Sequence, residues 1–253
     1  MTSIQIKPGN FTLRLLLILI AVAGIALLIA LGCWQLSRAE QKRLLQIEYE
    51  TRTKQAPINF VTFTTYANPA TLIYYRLRVT GHFDNTHSFL LDNRFYQHQL
   101  GYEVITPFIP DGSDSKQVLL INRGFVPLGN NRQSLPTIAT PDQRLTLTGI
   151  ITVPDPKSFA LSHLVDNPGQ WPARIEFSHF PTMTQLLQQP LYPVIVLLLP
   201  QQPAGFIREW QLTTMSPDTH RAYAFQWFAM AGTLGVIFVV MSWKRRKNLS
   251  PKR

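Results

Sequence analysis

The chain has 253 residues, of which 45% are hydrophobic and 15% charged, with one cysteine and a formal net charge of +10. A single cysteine excludes an intramolecular disulfide framework and any site built on several thiolates. The excess charge is not a nucleic-acid footprint. Residues 37–220 hold 15 Lys/Arg against 14 Asp/Glu, so the surplus lies at the two ends, whereas nucleic-acid binding needs a basic, aromatic face within the folded part.

The first element in chain order is an uncharged run, Leu15–Leu36, preceded by Lys7 and Arg14. It exceeds the ~20 residues that cross a hydrocarbon core. A cleaved signal peptide has a shorter apolar region of roughly 7–15 residues. Ala30-Leu31-Gly32-Cys33 is a poor lipoprotein cleavage site, because Ala30 stands where a large aliphatic residue is usual. The run is therefore expected to be an intact anchor, with Trp34 at the membrane–water boundary. Ala26 and Ala30, like Ala231 and Gly235 near the other end, are small residues four apart, a spacing that lets two helices approach. Ser37–Lys54 carries Leu44, Leu45 and Ile47 in helical spacing and is expected to prolong the helix until Pro57. Arg38 and Lys42 share one face of it.

From Tyr74 the period changes to two. Strand-like runs fall at 75–80, 88–92, 102–108, 118–122, 145–151, 173–177 and 194–199, separated by Gly, Pro, Asn and Asp clusters. Short strands at this spacing predict a mainly antiparallel barrel or sandwich. Val194–Leu199 is too short to span a bilayer and reads as a buried central strand. Phe180–Gln189 is the one helix expected inside this domain, with Pro181 in its first turn and Pro190 stopping it. Pro127–Pro141 and Pro154–Pro172 read as long connections.

The second membrane-length run, Ala222–Trp243, again carries no charge. Pro217-Asp218-Thr219-His220-Arg221 precedes it and Lys244-Arg245-Arg246-Lys247 follows. Lys and Arg flank the cytoplasmic ends of membrane spans. The expected organisation is a cytoplasmic segment 1–14, a span 15–36, an extracytoplasmic β-rich domain 37–220, a span 221–243 and a basic cytoplasmic tail 244–253. A helix starting near His220 would set His220, Tyr223 or Ala224, and Trp227 on one face. That places an imidazole able to bind metal beside two aromatic rings at a membrane surface, where an ionisable residue marks a functional site. The alternative is a helix-start residue anchored beside Arg221 among lipid headgroups. In either case the side chain is expected to be exposed at the interface, within reach of water and of little weight in folding.

Histidines stand at 82, 87, 98, 163, 179 and 220, with no pair at metal-ligand spacing. The sequence contains no nucleophile elbow, no phosphate-binding glycine loop and no His-Glu-x-x-His. Asp92-Asn93-Arg94 and Asn122-Arg123-Gly124 lie at strand ends, where they could serve chemistry or cap turns and pair buried charges. No nucleophile–base–orienter set can be assembled, and the chain is not expected to be an enzyme.

Several stretches resemble one family in the same order. They are Leu31-Gly32-x-Trp34-Gln35-x-x-Arg38-x-x-x-Lys42; Tyr75-Arg76-x-Arg78-Val79-x-Gly81-x-Phe83; Gly101-Tyr102 running to Thr106-Pro107; Asn122-Arg123-Gly124-Phe125-Val126-Pro127; and His220-x-x-Tyr223-x-x-x-Trp227-Phe228. Together these resemble the Surfeit-locus family of cytochrome c oxidase assembly proteins, bacterial type. Phe125 stands where that family often has Trp, Asp218 where it often has Asn, and 161–170 matches nothing in it. The resemblance implies a two-span protein of the bacterial inner membrane with its central domain in the periplasm. It implies a role in maturing a haem–copper oxidase by holding or delivering haem a. The catalytic subunit would be the partner, and whether haem a synthase is another stays open. It further implies His220 as the iron ligand, with Arg221, Arg38 and Trp34 meeting the haem propionates near Tyr223 and Trp227. Two other classes stand beside it: a cofactor-free scaffold for oxidase intermediates, and an unrelated envelope hydrolase.

Overall fold

A computed structural model describes residues 9–112, 116–129, 132, 134–154, 165–166, 169–210 and 215–249. Among them the helices are α1 (Gly9–Lys54), α2 (Phe60–Thr64), α3 (Phe180–Leu187) and α4 (Pro217–Leu249), with a 3-10 turn at Pro69–Leu72. The strands are β1 (Ile58–Asn59), β2 (Arg76–Phe83), β3 (Phe89–Tyr96), β4 (Gln99–Pro110), β5 (Val118–Pro127), β6 (Leu145–Thr152), β7 (Val165–Asp166), β8 (Ala173–Ile175) and β9 (Leu191–Leu198). The chain divides into two compact units. One comprises Met1–Ile47 with Leu212–Arg253, and the other is Glu48–Gln211.

In the first unit, α1 and α4 are each long and apolar enough to cross a membrane, with mean hydropathy 3.1 and 1.8 over their most apolar windows. Helix α1 runs unbroken to Lys54, as the spacing of Leu44, Leu45 and Ile47 predicts. Helix α4 starts at Pro217, one turn before His220.

The second unit is a barrel. Strand β2 pairs with β6 along Arg76–Gly81 and with β4 at Gly81–Phe83. Pairings β6–β9, β9–β5 and β5–β4 complete a closed ring of five strands. Strands β3, β8 and β7 extend the sheet from β4, and β1 adds to β2. Three pairings depart from an antiparallel pattern: β5–β9, β3–β8 and β1–β2 are parallel. Alternation sorts the side chains of β5 and β9. Leu119, Ile121, Val194, Val196 and Leu198 join one cluster with Leu77, Val79, Phe108 and Leu147. Leu120 and Ile195 face the opposite way and pack with Met183 and Leu187 of α3. Phe60 and Phe63 of α2 meet Tyr192 edge-on, each with centroids 5.6 Å apart.

The last turns of α1 are tied to the start of the barrel. Arg52 donates to the Ile73 carbonyl at 2.9 Å, pairs with Glu48 at 2.8 Å and lies 5.2 Å from the centroid of the Tyr75 ring. Arg76 returns hydrogen bonds to the Gln55 carbonyl.

Val196 is 1% exposed in a strand paired on both sides. Val196→Asp buries an unpaired carboxylate, costing several kcal/mol against a total stability of about 5–15 kcal/mol. Limited proteolysis should therefore leave a resistant core in the wild type and none in the full-length variant. An undiminished core would remove Val196 from the interior.

Candidate functional site: a histidine in the seam between two apolar helices

Local chemistry fixes where α4 begins. The Ser216 hydroxyl accepts from the Thr219 amide at 3.2 Å, Pro217 opens the helix, and Asp218 sits in the first turn, where the helix dipole favours an anion. Asp218 also pairs with Arg221 at 2.8 Å.

His220, one residue before Arg221, points the other way and is only 8% exposed. Along α4, Ala224 and Ala231 are buried on the same face at 1% and 6% exposure. On α1 the matching face includes Gly32, Gln35 and Ala39. A Cβ on Gly32 would lie 2.6 Å from the Phe228 ring, and one on Gly24 would touch Leu234. The partners step in opposite directions, so the two helices run antiparallel. Glycine at 32 is needed because the Phe228 ring occupies the space of a side chain. Ala26 and Ala30, expected from their spacing to belong to this seam, are exposed. The seam instead follows Gly24, Leu28, Gly32 and Gln35, which recur at the helical repeat. Of the other small pair, Ala231 is in the seam and Gly235 is half-buried.

The imidazole of His220 is held by one hydrogen bond, Nδ1 to Gln35 Oε1 at 2.8 Å. Its Nε2 is enclosed and has no hydrogen-bond partner among the described residues. This corrects the expectation that His220 is an exposed interfacial residue reaching water. Trp227 is half-buried and Tyr223 is 41% exposed. Arg221 is exposed and engaged by Asp218. Trp34 is 51% exposed. Arg38 lies 5.8 Å from the centroid of the Trp34 ring and donates to Gln41 at 2.9 Å. The structure thus joins Trp34 to Arg38 and His220 to Gln35. In the sequence Gln35 stands out only as part of a motif, and its signal is its place three residues after Gly32 on the helical repeat. His163 lies outside the described residues, and His179 bonds Thr182 in the first turn of α3.

The two polar clusters of the barrel turn out to be fastenings. In the β4–β5 pairing Val104 faces Gly124 and Ile105 faces Asn122, so Arg123 is the extra residue of a bulge. Gly124 has φ 111°, a conformation that favours glycine. Arg123 is 1% exposed. It donates to the carbonyls of Ala204 and Ala139 at 2.7 Å each and to Thr140 at 2.9 Å. The rings of Phe83 and Phe206 lie 4.9 and 4.7 Å from its guanidinium. Burial, with the nearby charge of Arg208, lowers its pKa to about 10, so it stays charged at neutral pH. Asn122 donates to Glu103 at 2.6 Å and accepts from the Gly124 amide. Asp92, 6% exposed, pairs with Arg132 at 2.6 Å beside a second bulge at Asn93.

A cavity of about 580 Å³ opens beside Thr86, Ser88, Ile138, Trp171 and Arg174, and holds none of the residues expected from sequence. Next to it, Asp84 meets His87 at 2.5 Å, and the His87 ring meets Trp171 edge-on at 4.5 Å. Burial would raise the Asp84 pKa, but hydrogen bonds from Thr86 and His87 outweigh it and hold the carboxyl below its ordinary value.

The SURF1 family model matches residues 22–232, which include α1 from Val22, the barrel and the seam as far as Ala231. The chain belongs to the SURF1 family. SURF1 proteins are cytochrome oxidase assembly factors. A SURF1-like protein of Rickettsia bellii is 25% identical over 222 residues, 84% of this chain and 85% of the relative. One of Rickettsia felis is 25% identical over 232 residues, 88% and 95% of the two chains. A third, from Monosiga brevicollis, is 25% identical over 233 residues, 86% and 83%.

Replacing Arg123 by Met keeps the bulk between the two rings but removes its hydrogen bonds to the carbonyls of Ala139 and Ala204. At ~1.5–3 kcal/mol for each hydrogen bond made by a charged group, the variant should lose on the order of 3 kcal/mol in chemical unfolding of the full-length protein. A loss below ~0.5 kcal/mol, typical of a surface change, would show that Arg123 is not a fastening.

Proposed function

We propose that this protein assembles a haem–copper oxidase in the bacterial inner membrane by holding haem a through His220 for transfer to the catalytic subunit. The observation that carries this reading is the enclosed, unpartnered Nε2 of His220. A buried polar nitrogen normally finds a partner, and leaving one unpaired costs about 1–3 kcal/mol. Haem a, when bound, supplies an iron that takes a neutral imidazole nitrogen as axial ligand. The donor set fits such a group. His220 offers a nitrogen, Arg38 and Arg221 offer guanidinium groups suited to carboxylates, Trp34 offers an indole N–H, and Tyr223 and Trp227 offer aromatic surface.

In this reading α1 and α4 are membrane spans, residues 37–220 are periplasmic, and both termini are cytoplasmic. The distribution of Lys and Arg supports that orientation. The catalytic subunit of the oxidase is the partner, and haem a synthase is the source from which the group arrives. Because Nε2 is enclosed, an iron reaches it only when the seam opens, and a second reading, in which α1 and α4 dock on oxidase intermediates without any cofactor, uses the seam closed as it stands.

Detergent-purified full-length protein should show a Soret band with near-stoichiometric haem, whereas a colourless protein supports the scaffold. His220→Ala should abolish or shift that band, and His179→Ala should leave it unchanged. Because His220 is buried and bonded, His220→Ala is also expected to lower the protein level, so spectra are compared at equal protein. An unaltered band in folded His220→Ala protein moves the ligand elsewhere.

Orientation has its own test. Alkaline phosphatase fused after residue 110 should be active, as only an extracytoplasmic position allows; an inactive fusion would sink the proposed topology.

A further inference from the structure

We infer that Gln35 is a positioning residue for His220, selecting the tautomer whose Nε2 carries the lone pair. This rests on the reading of His220 as an iron ligand and names what makes it one. Nδ1 lies 2.8 Å from Gln35 Oε1, the sole hydrogen bond of this ring among the described residues. A neutral imidazole has one N–H and one bare nitrogen. With Oε1 as acceptor, Nδ1 carries the hydrogen and Nε2 is bare. The reversed amide would give Nδ1 the lone pair and leave Nε2–H as a buried, unpaired donor. A buried N–H left without a partner is disfavoured, and only the tautomer with a bare Nε2 can ligate, so we take Oε1 as the acceptor.

Gln35 is held for this task. It is half-buried on the face of α1 that carries buried Gly32 three residues before it and buried Ala39 four after it. The amide therefore lies in the seam, along the helix rows that face α4. The ligating histidine of a metal site commonly donates its other N–H to a fixed acceptor, which sets ring orientation and basicity. Here the acceptor is a neutral amide. It orients the ring as a carboxylate would, but draws less electron density onto Nε2. The imidazole is thus preset to ligate without becoming a strong donor, which suits a site that must release its ligand.

The test uses full-length protein in lipid nanodiscs with 15N-labelled histidine. Without haem, the His220 nitrogens should read as protonated Nδ1 and bare Nε2, assigned by the signals lost in His220→Asn. Wild type showing protonated Nε2 overturns the inference and needs no Gln35 variant to do so. Hemin is then added. Gln35→Leu should weaken hemin binding about 10–100-fold, the usual effect of losing such a partner, and lower the iron–histidine stretching frequency of the ferrous complex. Gln35→Glu should restore binding and raise that frequency above wild type. A Gln35→Leu protein that folds and binds with unchanged affinity and frequency overturns the positioning role. The two readings fail separately. A hemin spectrum unchanged in His220→Ala removes ligation, and the role of Gln35 toward haem with it. A spectrum lost in His220→Ala but untouched in Gln35→Leu removes Gln35 alone.

Discussion

The sheet closes into a barrel where β2, paired with β6 on one edge, meets β4 on the other. The two pairings overlap at Gly81, which faces Leu145 of β6 and Pro110 of β4. A Cβ at this position would lie 2.1 Å from the Ile109 carbonyl oxygen and 2.8 Å from the Phe108 ring. No rotation of a side chain relieves a clash with backbone, so the corner must be glycine. Closure removes the free edges of the five central strands, and it gives the alternating side chains of β5 and β9 a definite inside. It also leaves the interior to be filled by Leu77, Val79, Phe108 and their neighbours.

A second constraint is a charge kept inside without a counter-ion among the described residues. Arg123 is among the largest fully buried side chains, and the acceptors named for it are neutral. Such a group is tolerated when its donors are satisfied and flat surfaces cover its faces. The bulge at 123–124 aims the side chain away from the normal alternation, and carbonyls from two separate segments converge on it. Arg208 repeats the device on a smaller scale, donating to the carbonyls of Leu199, Pro200 and Gln202. Arg123 ties the 199–208 segment to the barrel through the Ala204 carbonyl, and Arg208 closes that segment on itself. An enzyme-like reading of Asn122-Arg123-Gly124 is unnecessary, since the bulge and its fastenings account for each residue.

The strands legible in the sequence were those with a clear period of two. The 145–151 run became β6, Leu145–Thr152, almost unchanged. Pairing was not legible, because alternation tells which face a residue takes and nothing about its neighbour strand. The parallel insertion of β9 beside β5 is therefore absent from any local pattern. The β3–β4 hairpin was missed because its two-residue turn is Gln97-His98, both with positive φ, in place of the usual Asn or Gly. β9 begins at Leu191 and passes through Pro193, which falls where the register with β5 shifts, so the missing amide is tolerated there. At the seam, spacing correctly set His220 and Ala224 on one face. It could not show that α1 covers that face, nor that Gln35 reaches Nδ1.

Two apolar helices in a bilayer gain nothing from the hydrophobic effect when they meet; close packing and polar links must hold them. In the membrane setting proposed for α1 and α4, Gly32 under Phe228 supplies the first, and the His220–Gln35 bond supplies the second. If linkage were the whole role of residue 220, a side chain with a single donor would serve as well and leave nothing unpaired. Histidine instead makes the link with one nitrogen and buries the other without a partner among the described residues. Packing explains the position of the ring and its Nδ1 contact, but it gives no reason for the second nitrogen. That second nitrogen, enclosed in a protein of an oxidase-assembly family, is the feature on which the proposed ligand rests.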